Sequence, residues 1–203
     1  IDLVNQAKIK LDDRLINFFT EFKDQNFKDE RVKNITIADL LQQRSGFDRI
    51  SSEDVMFATN KTPWCPTQLN KLLNIKLDFE PNMRYGYDNR NSCLLGAVIE
   101  RVTGQNYRDY IQQHYNLTDK NIRFIDGAYY SDEVRYDFRN SDFWMEGYSE
   151  QFDFHALSSS AGLSGSAKSL AEIIHGMLKQ KSLNILSIAE DNLKHCDMSK
   201  FKS

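Results

Sequence analysis

The chain has 203 residues and 23.7 kDa, with 26 Lys and Arg against 29 Asp and Glu and a formal net charge of −3. That length supports one domain whose core needs no covalent staple, and the scattered basic residues exclude a nucleic-acid surface, which calls for clustered positive charge. No apolar run approaches the roughly 18 residues of a membrane span, and neither an initiator Met nor a signal peptide opens the sequence.

Residues 1 to 7 read as the last turns of a helix. "LDDRLINFFTEF" predicts a second helix, with Asp12 or Asp13 as N-cap and Leu15, Phe19 and Phe22 on one face. A charged connector leads to "ITIADLLQQRSGF", a helix that starts at Thr36, packs Ile37, Leu40 and Leu41 inward and stops at Gly46. After Pro63 and Pro66, Thr67 caps a short helix carrying Leu69, Leu72 and Leu73. "IKLDFEP" is extended, because Pro81 disfavours helix at the residue before it. Helix resumes from about Arg90, with Leu94, Ala97, Val98 and Val102 on one face, and ends at Gly104; an amphipathic piece follows from Tyr107 to Tyr115.

Residues 121 to 155 are irregular, with one small hairpin predicted between 121 and 140. The cluster "SSSAGLSGSA" precedes a helix striped by Leu170, Ile173, Ile174, Met177 and Leu178, and "SLNILSIAEDNL" is helical as well. The expectation is a mainly α fold, a single helical domain over residues 1 to 203. Cys65, Cys93 and Cys196 form no CxxC pair, and their odd number rules out a complete intrachain disulfide set. Cys93 lies on an apolar helical stripe and reads as a buried thiol. His114, His155, His175 and His195 have no ligand-spaced partners, so neither a metal site nor any other cofactor is predicted.

Four stretches occur in one order and at telling distances: "LDDRLINFFTEF", "ITIADLLQQRSGF", "FEPNMRYGYDNRNSCLLGAVIERVTGQNYRDYI" and "SSSAGLSGSAKSLAEII". Together, over roughly residues 3 to 178, they resemble the serine β-lactamase-like hydrolases of the class C β-lactamase and DD-peptidase type. That family uses an S-x-x-K for the nucleophilic Ser and its Lys, a Y-x-N for a base or proton relay and a substrate-holding amide, and a K-T-G or H-x-G on a sheet strand. The triplet "YDN" matches the second motif, which makes Tyr87 and Asn89 the candidate catalytic residues, with Asp88 where a smaller Ser or Ala is commoner.

The spacing has its own physical sense. In an extended loop, residues i and i+2 project to one side, so Tyr87 and Asn89 face one cleft while Asp88 points away. A phenol with a pKa of about 10 is a poor base near neutrality unless a cation lowers it, which in the family is the Lys of S-x-x-K. Asn89 has the donors and acceptor to hold a substrate amide.

The other two motifs are not found. "SKFK" at Ser199 to Lys202 reads as a chance match, and "HGM" at His175 sits within a helical stripe. The expectation is therefore a fragment of a larger hydrolase, with the S-x-x-K segment, the third-motif strand and the central antiparallel sheet outside it. Acyl transfer needs an activated nucleophile and an oxyanion hole, so this chain alone is predicted to be inert. The resemblance implies a parent that acts on β-lactams, D-Ala peptides or esters through an acyl-serine intermediate, outside the cytoplasmic membrane. The alternative is a non-catalytic binding protein derived from the same family. Its partners would be a small-molecule or cell-wall peptide or ester substrate, and an exposed apolar face left by the sheet favours association.

Overall fold

The computed structural model of the protein describes residues 1–53, 55–58, 61–127, 130–134 and 148–179. Among these, α1 (Asp2–Asn5), α2 (Ile37–Leu41), α3 (Asn89–Thr103), α4 (Tyr107–His114) and α5 (Ala167–Leu178) are joined by 3-10 turns and irregular chain. β1 (Arg123–Phe124) and β2 (Leu163–Ser164) form a two-stranded antiparallel sheet, with Arg123 opposite Ser164 and Phe124 opposite Leu163. The protein is mainly helical, as its sequence pattern requires.

The central element is α3. Its stripe of Leu94, Ala97 and Val98 is buried, and its last turn closes on Gly104 at φ +70°, a left-handed conformation that costs glycine least. A Cβ at Gly96 would lie 2.5 Å from the Ser159 side chain, so only glycine lets the 157–161 segment rest directly on this helix. Leu3, Leu15, Phe19, Ile35, Ile37, Leu40 and Phe47 complete the main core around it. A second small cluster of Leu117, Ile122 and Phe124 takes Leu170 and Ile173 of α5.

Helix α2 begins where the sequence places it. Thr36 Oγ1 accepts the Asp39 N–H at 3.1 Å while Asp39 Oδ2 accepts the Thr36 N–H at 2.9 Å, a reciprocal box that satisfies two otherwise orphaned donors. The helix ends five residues before Gly46, however, and Leu41 is turned outward at 37 % exposure. The segment 12–22 forms two 3-10 turns, Leu15–Phe18 and Thr20–Phe22, with Arg14 and not Asp12 or Asp13 at the first N-cap. Leu15 N–H donates to Ile35 O, and the carbonyls of Leu11 and Asp13 accept from Ala38 and Ile37, so these groups are withdrawn from a helical ladder. Leu15, Phe19 and Phe22 are nonetheless all buried.

Three further expectations need correction. Leu69–Asn74 is a 3-10 turn with Gln68 at its N-cap and no side-chain cap from Thr67. The strand at Arg123 finds its partner at Ser164, about forty residues on, and not in a local hairpin within 121–140, part of which lies outside the described residues. Cys93 is bonded to Cys65 in a disulfide and is not a free thiol. No sequence signal marks a pair 28 residues apart; the cross-link forms because the Pro63–Pro66 loop packs its Trp64 and Cys65 into the core beside α3. The predicted helix at 182–193, the "SKFK" tetrapeptide, Cys196 and His195 lie outside the described residues.

Apolar surface lies in two places among the described residues. Helix α5 has no buried residue, with Ile174 at 57 % and Leu178 at 52 % exposure. An apolar groove of about 240 Å³ runs between α1, α2, α3 and α4, lined by residues including Leu3, Ile37, Leu95, Ile99 and Tyr110.

Candidate active site

The "YDN" triplet forms the extended entry to α3 and is held from below by the loop that follows α2. Asp88 is the N-cap of α3, its backbone at φ −154° and its Oδ1 accepting the Arg90 N–H at 2.8 Å. The same carboxylate takes a bidentate pair from Arg90, with Nε at 2.8 Å and Nη2 at 2.6 Å, and both side chains are buried. The Arg90 guanidinium lies over Phe47 at 4.6 Å and donates to Ser52 Oγ at 2.7 Å. The residue between the two candidates is thus turned into the protein, and its charge is matched there.

Tyr87 and Asn89 project to the other side and meet each other. The Tyr87 hydroxyl donates to Asn89 Oδ1 at 3.1 Å, and Tyr87 remains 43 % exposed while Asn89 is buried. That bond engages the carbonyl oxygen of the Asn89 side-chain amide. Ser160 Oγ, on the segment resting against Gly96, donates to the Asn89 backbone carbonyl at 3.1 Å. That segment is itself secured by Arg108, whose guanidinium donates to Ser158 Oγ and to the carbonyls of Phe154 and Ile125.

Residues that sequence reasoning did not single out hold this arrangement. Gln43 Oε1 accepts from the Asp88 N–H at 2.9 Å and from Asn91 Nδ2 at 2.6 Å, and the Gln43 carbonyl accepts the Gly86 N–H at 2.9 Å. One residue therefore grips the chain on both sides of Tyr87. It does so from φ +57°, an uncommon conformation for a non-glycine residue. Ser45 Oγ donates to Asn91 Oδ1, and both residues are fully buried. A Cβ at Gly86 would come within 2.9 Å of both the Phe47 carbonyl and the Phe79 ring, so the extended segment bearing Tyr87 lies flat against this floor. The signal that could have found these residues is the polar run "QQRS", which breaks the apolar period of α2 before Gly46.

Arg49 completes the exposed surroundings of Tyr87. Its guanidinium carbon lies 4.8 Å from the centroid of the Tyr87 ring, and its backbone N–H approaches the Tyr87 carbonyl at 3.5 Å. The loop that carries it is tied down at Asp48, which accepts from the Ile50 N–H, from Ser51 Oγ and from Arg84. These contacts hold the Asp48 carboxyl below the usual range although burial alone would raise it. No cluster of His, Cys, Asp or Glu able to hold a metal occurs among the described residues. His175 is exposed on α5, and the described residues contain no Lys or Ser hydrogen-bonded to the Tyr87 hydroxyl.

Comparison with known proteins agrees with this framework. The chain is 36% identical to the Dichelobacter nodosus protein named "Probable fimbrial assembly protein FimD, serogroup H1" over 185 residues, which cover 91% of this chain and 46% of that protein. It thus spans about half the length of the curated relatives it matches. Among solved structures, a D-stereospecific amidohydrolase from Streptomyces sp. superposes with a TM-score of 0.64 at 19% identity, over 93% of this chain and 59% of that one. A penicillin binding protein from Bacillus halodurans superposes with a TM-score of 0.60 at 20% identity, over 93% and 58%. These likenesses are of fold, and the fold is that of part of a β-lactamase or penicillin-binding-protein-like molecule. The Beta-lactamase family model matches residues 1–193, and the chain belongs to that family.

Proposed function

We propose that these residues supply the Tyr-x-Asn wall of a serine acyl hydrolase or transferase whose substrates are β-lactams, D-Ala-containing peptides or esters. The observation that carries the reading is the Tyr87 to Asn89 hydrogen bond at the entry to α3, with the phenol exposed and Asp88 locked away on the opposite side. In this reading a serine outside residues 1–203 attacks the substrate carbonyl. Its hydroxyl proton passes through Tyr87 to the leaving nitrogen or oxygen as the carbonyl–heteroatom bond breaks. Water, or a second acceptor, then cleaves the acyl-serine. The Asn89 amide holds the substrate's acyl side by hydrogen bonding, and residues 1–203 alone do not turn over. The Cys65–Cys93 disulfide supports an oxidising, extracytoplasmic setting for the protein.

The test is intact mass spectrometry of the full-length native protein before and after exposure to a penicillin and to a fluorophosphonate. A stoichiometric adduct on a serine beyond these residues is expected. No adduct with either reagent favours a second reading, a non-catalytic binding protein that retains the Tyr-x-Asn geometry. That reading has one observation of its own: the 36% identical relative is named for fimbrial assembly and not for hydrolysis.

A further inference from the structure

Four arginines lie on the two segments that bracket Tyr87, and three are accounted for. Arg90 is paired with Asp88 and Arg84 with Asp48. Arg44 is buried and donates to the Asn82 carbonyl. Arg49 is exposed, and no carboxylate partners it among the described residues. Two acids of the adjoining segments are engaged elsewhere: Asp48 as above, and Asp78 by the Asp48 N–H at 2.9 Å and Ser52 Oγ at 2.8 Å.

The position of this guanidinium is fixed by more than its own side chain. It lies over the Tyr87 ring from a loop bonded to the same chain segment that presents the phenol. A guanidinium held against an aromatic face directs its N–H donors outward along its planar rim, the geometry that takes both oxygens of a carboxylate at once. Beside it, Ile50 is 91 % exposed, and Tyr85, two residues before Tyr87 in the extended chain, is 59 % exposed. Among the described residues, the mouth of the site thus combines a guanidinium that has no carboxylate partner with apolar surface.

We propose that Arg49 is a specificity-determining residue that recognises a free carboxylate on the substrate, so that the preferred substrates are acyl compounds bearing an anionic group on an apolar body. The proposal rests on the Tyr-x-Asn reading above, because it places the carboxylate beside Tyr87. Its chemical content is separable: Arg49 sets which acyl compound is favoured and takes no part in proton transfer.

The experiment compares two esters, mono-p-nitrophenyl glutarate and p-nitrophenyl butyrate, on the full-length native protein. The readout is the ratio of their kcat/KM values. The Arg49→Gln variant is expected to lower that ratio about tenfold, the effect of losing one charge-assisted pair. The Arg49→Lys variant, which keeps the charge without the fork, falls between. Raising the salt concentration lowers the ratio in the wild type and leaves it flat in Arg49→Gln. Calorimetric titration with glutarate gives the same comparison without turnover, with affinity expected to drop about tenfold in Arg49→Gln. A ratio and a glutarate affinity that stay within twofold of wild type overturn the proposal, as they would if another part of the chain neutralised Arg49. The Tyr87→Phe variant separates the two levels of argument. If it slows both esters alike while Arg49→Gln leaves the ratio unmoved, the Tyr-x-Asn reading stands and the Arg49 inference falls. If Tyr87→Phe changes neither ester, the underlying reading falls instead.

Discussion

Gln43 Oε1 accepts the backbone N–H of Asp88 at 2.9 Å, so a side chain from the end of α2 fixes the residue that separates Tyr87 from Asn89. The bond links two segments 45 positions apart, and the same oxygen also holds Asn91. Replacing Gln43 by Leu leaves the Asp88 N–H and the Asn91 amide without this acceptor, which costs about 1–3 kcal/mol for a buried donor left unpaired. Urea titration of Gln43→Leu against wild type measures this as a lower midpoint at unchanged slope. Gln43→Gly removes the acceptor but relieves the positive φ, so it should lose less stability than the Leu variant.

The Asp88–Arg90 pair makes a sharper demand. Both side chains are buried, so removing Asp88 leaves the Arg90 guanidinium buried without its carboxylate. Asp88→Ala is expected to destabilise the fold by about 3–5 kcal/mol, and combining it with Arg90→Leu should recover a substantial part of that loss. Chemical denaturation of the two single variants and the double variant closes the cycle.

The disulfide is open to direct mapping. Proteolysis of the unreduced protein should recover Cys65 and Cys93 in one linked pair of peptides, which separate on reduction. Reduction, or Cys65→Ser, is expected to lower stability by about 2–4 kcal/mol, seen as a fall in Tm. Cys65 and Cys93 both recovered as free thiols before reduction would contradict the cross-link.

Asp29 gives the fold an acid-sensitive contact. Its carboxylate takes Arg31 Nε at 2.8 Å and Nη2 at 2.6 Å, and it also accepts the N–H groups of Arg31 and Leu77. The Arg31 guanidinium chiefly, with those N–H groups, lowers its pKa to about 2 against the opposing effect of burial. The folded state therefore binds this proton less readily than the unfolded chain. The stability it confers is fully present above the unfolded value of about 3.9 and is lost as pH falls towards 2. Asp29→Asn should flatten that part of the stability–pH curve, measured by urea titrations between pH 2 and 5.

The parts of this molecule that sequence reveals are those decided locally. The extent of α3 follows from a 3.6-residue stripe ending at Gly104, and the start of α2 from Thr36 and Asp39 three residues apart. The alternation that puts Tyr87 and Asn89 on one side and Asp88 on the other is also local, a consequence of extended backbone. What escaped is set by distant partners. The turns at 15–22 replace a helix because Ile35 to Ala38 claim the backbone of Leu11 to Leu15. Phe124 pairs with Leu163, Cys65 with Cys93, and Gln43 reaches Asp88, each across a span in which no periodicity carries information. The floor of the site is therefore a tertiary product, whereas the shared orientation of Tyr87 and Asn89 is readable from a triplet.

The most direct test of the account is the acylation rate of the full-length native protein carrying Tyr87→Phe, followed with a penicillin or an activated ester alongside a stability control. The substitution deletes one hydroxyl from a side chain that is 43 % exposed, so folding should be little affected. A proton relay contributes roughly a hundredfold or more to such a step. The account predicts a loss of that order at nearly unchanged Tm, whereas a Tyr87→Phe protein acylated at the wild-type rate would contradict it.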